Sequence, residues 1–374
     1  MLYEDDIHEL ENDGNLNIHQ GPEIRIGITQ GDINGIGYEV ILKALQMPET
    51  LELFVPVIYG SSKIASYHRK TLSIPDLAFH HVRKASQAIL KKVNIVNIID
   101  QEIKVELGKA TEIAGELAAL ALEHATNDLI EGGIDVLVTA PINKKNIQSE
   151  TFNAPGHTEY LATRFHVADS LMLMVHDQLK VGLITGHMPI KDVSKTLTID
   201  KILSKIRIMN ESLIMDFGIL TPKIAVLGLN PHSGDNGLLG NEEQEIITPA
   251  IKKAMEEGIL AFGPFPADGF FGSANFIKFD GILAMYHDQG LTPFKLLAQG
   301  EGVNFTAGLP FVRTSPAHGT AYELAGKDSA SESSMLKSIF LACDIYRKRK
   351  EFYELKTNPL GTQISDTRDT QSED

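Results

Sequence analysis

The sequence is poor in cysteine and has no tryptophan: one Cys and no Trp occur in 374 residues. The single thiol, Cys343, excludes a disulfide framework and any zinc cluster built from cysteines, and it is typical of a reducing compartment. Long apolar runs are also missing, since none approaches the roughly 18 to 20 residues that a membrane span needs. The acidic start of the chain lacks the basic and apolar regions of a secretory signal, so we expect a cytoplasmic protein.

Positive charge is scarce as well, with 34 Lys and Arg against 49 Asp and Glu and a formal net charge of −15. This excess argues against non-specific binding to nucleic acid or to an anionic membrane surface. Residues 1–20 form an acidic extension and residues 355–374 a polar tail, and neither has a repeating apolar pattern. We therefore predict that both ends are disordered or loosely docked. Histidine, by contrast, is plentiful, with 13 residues.

Short apolar strands alternate with amphipathic helices along most of the chain. The pattern predicts strands at 24–29, 53–59, 93–99, 134–139, 171–176, 181–185, 223–229 and 281–286. Thr111 and Thr198 are predicted helix caps, and a third helix could begin at Asn241 or at Thr248, because Pro249 suits the first turn. This alternation indicates an α/β protein with a largely parallel sheet that is covered on both faces.

The common nucleotide-binding and hydrolase motifs are absent. The sequence contains no G-x-G-x-x-G hexad of the Rossmann type, no phosphate loop of the G-x-x-x-x-G-K-[ST] type, no H-E-x-x-H and no G-x-S-x-G. A Gly-rich turn at 31–37 lies between the first strand and a helix. It is either a tight connection or an anion site at the helix N-terminus, and the residues leave both interpretations open.

Three histidines follow apolar strands in equivalent positions: His187, His232 and His287. In open α/β sheets, ligands bind beyond the carboxyl ends of the strands. Three imidazoles at this edge could hold a divalent metal with positions left for substrate or water. Asp288 could be a fourth ligand or could orient a histidine. Each histidine could also be a capping or surface residue, and the pattern alone does not decide.

Other candidates are polar residues that could hold an anion. His157 and Thr158 stand at a predicted helix start, where they bind an anion or simply cap the helix. Arg313 follows an apolar run, and its planar guanidinium suits the bidentate recognition of carboxylate or phosphate. Lys295 lies on a helix-like segment after His287. The loop at 143–145 is either a further anion contact or solvated surface.

Eight segments, taken in order, resemble the 4-hydroxythreonine-4-phosphate dehydrogenase family of vitamin B6 biosynthesis. They extend from about residue 24 to residue 350 and include Pro-Gly-His-Thr-Glu, Thr-Gly-His-Met-Pro and Met-Tyr-His-Asp-Gln-Gly. The segments are 29–39, 139–144, 155–159, 185–189, 229–234, 263–268, 285–290 and 311–320. The chain departs from the family at Ile33-Asn34 and Tyr38, where Pro-Ala and Pro are common.

The resemblance implies the oxidation of 4-phosphohydroxy-L-threonine at C3 and its decarboxylation to 3-amino-2-oxopropyl phosphate, in pyridoxal phosphate biosynthesis. The implied cofactors are NAD or NADP and one divalent metal, which is zinc, magnesium or cobalt. The implied metal ligands are His187, His232 and His287. The implied substrate contacts are His157, Thr158, Lys295, Asn304 and Arg313, and the implied cofactor loop includes His318, Gly319 and Thr320.

The implied fold is similar to that of isocitrate and isopropylmalate dehydrogenases, with two α/β/α domains around a cleft and no Rossmann hexad. We predict a first domain at 21–140 plus 305–354 and a second domain, with the metal histidines, at 141–304. The resemblance also implies a homodimer with metal and substrate at the subunit interface. Lys295 or a metal-linked water would transfer protons, and Asp288 is a further candidate catalytic residue.

Three alternatives remain at this point. A relative in the same family would oxidise D-threonate or D-erythronate 4-phosphate with the same cofactors. A metal-dependent hydrolase would use the histidines to activate water and would need no nicotinamide. A binding protein for a phosphorylated metabolite would need the anion contacts and no histidine cluster.

Overall fold

The computed structural model describes residues 23–74, 77–149, 152–177 and 179–357. The acidic extension at 1–20 and most of the polar tail at 355–374 lie outside the described residues, so the prediction of disorder is not tested there. A search of the described helices finds none with the length and apolarity that crossing a membrane requires.

Twelve strands of the described chain form one sheet. In chain order they are β1 (Arg25–Thr29), β2 (Val55–Gly60), β3 (Phe79–Val82), β4 (Val93–Asn97), β5 (Val136–Thr139), β6 (Leu171–His176), β7 (Leu179–Leu183), β8 (Lys223–Leu227), β9 (Leu260–Phe265), β10 (Gly281–Ala284), β11 (Val303–Ala307) and β12 (Val312–Pro316). Their spatial order is β3-β4-β2-β1-β5-β12-β11-β6-β7-β10-β8-β9. Neighbours are parallel except around β11 and β6, where β12–β11, β11–β6 and β6–β7 are antiparallel.

Ten α-helices surround the sheet in the described residues. They are α1 (Gly37–Ala44), α2 (Ser62–Thr71), α3 (Glu112–Ile130), α4 (His157–Arg164), α5 (Ile190–Thr196), α6 (Ile199–Met215), α7 (Thr248–Glu256), α8 (Ala267–Gly272), α9 (His287–Ala298) and α10 (Ser333–Thr357). The Thr111 hydroxyl accepts a hydrogen bond from the backbone N–H of Ala114, and the Thr198 hydroxyl accepts one from Lys201, so both predicted caps are confirmed.

The ambiguous third helix, α7, begins at Thr248, but neither Thr248 nor Asn241 caps it with its side chain. A π-helical turn at Glu243–Ile247 leads directly into α7, and no side-chain cap is formed at either junction. Pro249 lies in the first turn of α7, where its missing N–H costs no intrahelical hydrogen bond.

Helices cover both faces of the sheet, and β5 shows how. Its buried residues Val136 and Val138 belong to the same core cluster as Ile339 of α10. Leu137, which points to the other face, packs in a second cluster with Leu122 of α3. Alternate side chains of one strand are thus buried on opposite sides, as the near-continuous apolar strands predict. The α/β class and the covered sheet are confirmed.

The sheet order brings β3, β4, β2, β1, β5 and β12 together on one side and β11, β6, β7, β10, β8 and β9 on the other. The change of strand direction falls around β11 and β6, between two parallel halves. Three antiparallel junctions separate the halves, so the parallel strands of one half run opposite to those of the other. The division into two domains stays a prediction.

His68 on α2 is a buried histidine that serves the fold. Its Nε2 lies 2.9 Å from the carbonyl oxygen of Ile33, and its ring stacks on Tyr38 at a centroid distance of 5.1 Å. Because the carbonyl can only accept, Nε2 carries the proton of a neutral ring. Burial lowers the pKa of His68 to about 4.

This lowered pKa predicts a loss of stability in acid. The unfolded ring takes up its proton near pH 6.5 while the folded ring resists, so the contribution is fully present above about pH 6.5 and is lost as the pH falls toward about 4. Between about pH 7 and pH 4.5, His68 should account for about 2–3 kcal/mol of the fall in unfolding free energy. Denaturant unfolding at both pH values should show that His68→Gln lacks this part of the fall. The variant of an exposed histidine, His124→Gln, should retain it; equal falls in all three proteins would contradict the assignment.

Candidate active site

A cleft of about 890 Å³ lies where the antiparallel centre of the sheet meets the ends of β5, β7 and β10. Nine of the twelve predicted site residues line it: His157, Thr158, His187, His287, Lys295, Asn304, Arg313, His318 and Gly319. Of the other three, Asp288 lines a smaller adjoining pocket, and His232 and Thr320 line neither. The residues proposed for anion binding and two of the three strand-end histidines therefore share one cleft.

Arg313 on β12 is the most buried cation of the cleft, with 3% of its surface exposed. Its Nε and Nη2 both donate to the Thr139 hydroxyl, at 3.1 and 2.6 Å, and its Nη1 donates to the Thr306 hydroxyl at 3.2 Å. Thr139 ends β5, which pairs with β12. Three hydrogen bonds from two neighbouring strands thus fix the plane of the guanidinium.

The charge of Arg313 has no carboxylate within ion-pair distance among the described residues. Burial lowers the pKa of Arg313 to about 10, which leaves the guanidinium charged at neutral pH. A buried charge without a partner is costly unless a ligand neutralises it. The arrangement therefore favours an anionic ligand in this part of the cleft.

His157 begins α4 and contacts the same guanidinium, with its Nδ1 at 3.0 Å from Nη2 of Arg313. Burial, followed by the charges of Arg313 and Lys144, lowers the pKa of His157 well below its usual range, so the ring is neutral. Because a guanidinium can only donate, Nδ1 accepts and Nε2 carries the ring proton. Thr158 follows with its hydroxyl 3.4 Å from that of Thr306. The wall of the cleft thus presents N–H and O–H donors to an anion.

His187 and His287 form a pair of imidazoles, with ring centroids 5.3 Å apart. They follow β7 and β10, which are parallel neighbours, so their strands end at the same edge of the sheet. The carboxylate of Asp288 accepts a hydrogen bond from Nδ1 of His287 at 2.7 Å. This bond fixes the ring tautomer and leaves the Nε2 lone pair of His287 available as a ligand.

Two neighbouring imidazoles are suitable donors for a divalent metal, and they are two of the three ligands that the resemblance implies. Burial and the charges of Lys144 and His287 lower the pKa of His187, which favours the neutral form that binds metals. His232 is exposed, on a turn with left-handed backbone (φ 53°), away from the cleft. Within the described part of the chain, no three His, Cys, Asp or Glu side chains are grouped closely enough to hold a metal. The third ligand would have to come from elsewhere.

Two buried acceptors in the cleft wall have no hydrogen-bond partner: Oδ1 of Asn304 and Nε2 of His318. His318 donates from Nδ1 to the carbonyl of Gly319 at 3.1 Å, and burial lowers its pKa, so its Nε2 is an unprotonated acceptor. Such orphaned atoms fit the hydroxyl or amide donors of a bound nucleotide or substrate. The third residue of the proposed cofactor loop, Thr320, instead uses its carbonyl to accept from the backbone N–H of Ile36.

The sequence pattern did not single out Thr139 or Thr306, and it left the loop that holds Lys144 as either an anion contact or solvated surface. All three contact predicted site residues, and Thr139 and Lys144 border a segment that carries the family resemblance. Lys295 lies on α9 and is exposed within the cleft. Its ammonium therefore lies in the cleft and makes no hydrogen bond or ion pair with other side chains of the described residues.

The chain matches known proteins over most of its length. Residues 52–342 match the family described as pyridoxal phosphate biosynthetic protein PdxA. A protein of Bacteroides thetaiotaomicron named 4-hydroxythreonine-4-phosphate dehydrogenase is 54% identical over 93% of this chain and 95% of its own length. A protein of Salmonella typhimurium named D-threonate 4-phosphate dehydrogenase is 37% identical over 86% of this chain and 98% of its own.

A solved structure supports the same conclusion. The structure of 4-hydroxythreonine-4-phosphate dehydrogenase from Klebsiella pneumoniae superposes with a TM-score of 0.77 at 33% identity, covering 87% of this chain and 99% of that one. The match extends across both halves of the sheet, so the predicted family resemblance and fold class are confirmed. The chain is a member of the PdxA family.

Proposed function

We propose that this chain is a 4-hydroxythreonine-4-phosphate dehydrogenase, which oxidises 4-phosphohydroxy-L-threonine at C3 and releases its carboxylate as CO₂. The product would be 3-amino-2-oxopropyl phosphate, an intermediate of pyridoxal phosphate biosynthesis. One observation carries the proposal: a single cleft combines a buried, unpaired guanidinium with a histidine pair, in a chain that shares 54% identity with a relative of that name.

The chain offers a place for each group that the reaction requires. His187 and His287 would hold a divalent metal, zinc, magnesium or cobalt, with His232 of the partner subunit as the third ligand. The loop at His318 and Gly319 would contact NAD or NADP through the buried acceptor Nε2. A bound nicotinamide would supply the hydride acceptor for C3, and a bound metal would supply Lewis-acid polarisation of the C3 oxygen.

The residues of the chain bind and orient the substrate. Arg313, the Nε2–H of His157 and the Thr158 hydroxyl would hold its phosphate or carboxylate, which neutralises the buried guanidinium. Asn304 would accept a hydrogen bond from a substrate donor through its unpartnered Oδ1. Such fixed contacts lower the activation barrier, because the substrate loses its translational and rotational freedom when it binds and not during the reaction step.

Lys295 is our candidate for proton transfer, and a water in the cleft is the alternative. Oxidation of C3 removes a hydride and the hydroxyl proton, and a cleft base takes up that proton. When the bond between C2 and the carboxylate breaks, its electron pair stays with C2, which needs a proton in return. Lys295 is exposed in the cleft and could serve both steps. Asp288 would act by orienting His287.

We further propose that the enzyme is a cytoplasmic homodimer with its active site at the subunit interface. The position of His232 supports this, because the residue is exposed outside the cleft of its own subunit. A two-fold dimer could bring that surface against the partner's histidine pair.

A direct assay tests the function. Purified protein with divalent metal and NAD⁺ or NADP⁺ should produce NADH or NADPH from 4-phosphohydroxy-L-threonine. We expect its kcat/KM to exceed that for D-threonate 4-phosphate and D-erythronate 4-phosphate by at least about tenfold, a difference of about 1.4 kcal/mol. The reverse preference would identify the chain as a hydroxy-acid relative, like the Salmonella protein. Turnover of a phosphorylated substrate without any nicotinamide would point to a hydrolase.

A further inference from the structure

Lys144 is a cation of the cleft that no ion pair neutralises within the described chain. It follows β5 in the loop that leads to α4, and its side chain lines the cleft. Lys205, another lysine of the cleft wall, is held by Asp169 at 2.5 Å. Lys144 instead contacts a histidine, so its positive charge is available to a ligand.

The ammonium of Lys144 lies between the two functional parts of the cleft. Its Nζ is 3.2 Å from Nε2 and 3.4 Å from Nδ1 of His187. Nearly equal distances to both nitrogens mean that Nζ is in line with neither lone pair, so Lys144 leaves both ligand directions of the ring open. Its Cε also lies beside Gly156, where an added Cβ would stand 3.8 Å from it, so the side chain reaches the start of α4 next to His157.

The loop that carries Lys144 is fixed by hydrogen bonds. The side-chain oxygen of Asn143 accepts from the backbone N–H groups of Lys145 and Asn146, at 2.9 and 3.3 Å. Asn146 in turn donates to the carboxylate of Asp32 at 2.9 Å and to the carbonyl of Thr111 at 3.0 Å.

Asp32 belongs to the Gly-rich turn at 31–37, which is buried and forms a tight connection. The Asp32 carboxylate also accepts from the hydroxyl of Tyr322 at 2.7 Å, and its backbone N–H donates to Pro141. At Gly31 the backbone is left-handed (φ 66°), and a Cβ would stand 2.4 Å from the carbonyl oxygen of Pro141. The turn therefore supports the start of the Lys144 loop and is not itself exposed to an anion.

We propose that Lys144 is a further substrate-binding residue, whose ammonium binds an anionic group of the substrate between the Arg313–His157 wall and the histidine pair. The proposal rests on the proposed function for the identity of the substrate. Lys144 shares the cleft with Arg313 and with the carboxylate of Glu159 but forms no ion pair in the described chain, so a bound anion would give its ammonium a partner. Phosphate and carboxylate share the required chemistry, and the experiment separates them.

The experiment compares Lys144→Met with Lys145→Met, the neighbouring lysine of the same loop, which is exposed outside the cleft. Calorimetric titration of the metal-loaded proteins, without nicotinamide, measures binding of 4-phosphohydroxy-L-threonine and of inorganic phosphate. We expect Lys144→Met to weaken substrate binding at least about tenfold, the typical loss for a charge-assisted hydrogen bond. Lys145→Met should bind as the wild type does, and Lys144→Arg should restore most of the affinity.

The two probes identify the anionic group. Weaker binding of both probes assigns Lys144 to the phosphate, and weaker binding of the substrate alone assigns it to the carboxylate. Equal affinities of Lys144→Met and Lys145→Met for both probes would overturn the proposal. A wild-type protein that does not bind 4-phosphohydroxy-L-threonine would instead refute the proposed function, and the phosphate titration would still test Lys144. Metal content, measured in each variant, should not change.

Discussion

Arg313→Met is expected to lower kcat/KM for 4-phosphohydroxy-L-threonine by about 10- to 100-fold. The guanidinium is the most buried cation of the cleft and is fixed by Thr139, Thr306 and His157. Its nitrogens already donate four of their five N–H groups to these residues, which leaves one for an anion. Loss of that charge-assisted hydrogen bond costs about 1.5–3 kcal/mol. The measurement is the initial rate of NADH or NADPH formation over a range of substrate concentrations.

Two matched variants separate this loss from a general effect on folding. Arg164 lies at the exposed end of α4, the helix that begins at His157, and it donates to Asn127, so Arg164→Met should keep nearly full activity. Arg313→Lys retains the charge without the planar fork and should fall between wild type and Arg313→Met. Thermal unfolding of each variant shows whether the protein is still folded at the assay temperature. A folded Arg313→Met protein with less than a tenfold loss would contradict the anion-binding assignment.

The sequence predicted the apolar strands well and the polar ones poorly. The eight predicted strands are all present, because buried β-branched runs leave a clear pattern. Four strands were missed. β3 and β9 are the two edge strands, and few of their residues are fully buried. β11 and β12 carry Asn304, Thr306, Arg313 and Ser315, whose side chains lie in or beside the cleft. Polar residues that face a site interrupt the apolar pattern by which a strand is recognised. Strands that carry the polar residues of the candidate site are therefore hard to recognise from the sequence.

The positions of the histidines in the sequence predicted that they share one sheet edge, but they could not predict how far apart the rings lie. His187 and His287 were expected at the same sheet edge, and the structure places their rings side by side. The contact of Arg313 with Thr139 joins residues 174 positions apart, and only the pairing of β12 with β5 creates it. Local pattern also could not separate Lys144 from Lys145, since the direction of each side chain depends on how the loop is anchored to Asp32 through Asn146.

His287→Ala and His232→Ala should each lower turnover by about 10³-fold or more and weaken the retention of metal. Removing one of three metal ligands reduces affinity sharply, since the remaining two cannot complete the coordination shell. Metal content after dialysis and the rate with added metal are the two measurements. His124→Ala, at an exposed position on α3, is the control and should behave as the wild type does. Full activity and full metal content in His232→Ala would remove that residue from the metal site.

A mixture of the two inactive variants tests whether the site is shared between subunits. In one protomer His232 lies outside the cleft that holds His187 and His287, so a shared site would take His232 from the partner. A dimer of one His232→Ala chain and one His287→Ala chain then has one complete site and one site that lacks both ligands. With random pairing, half of the dimers are mixed, so co-expression should restore about a quarter of the wild-type activity. If all three histidines came from one chain, no site in the mixture would be complete and activity would stay at the level of the single variants.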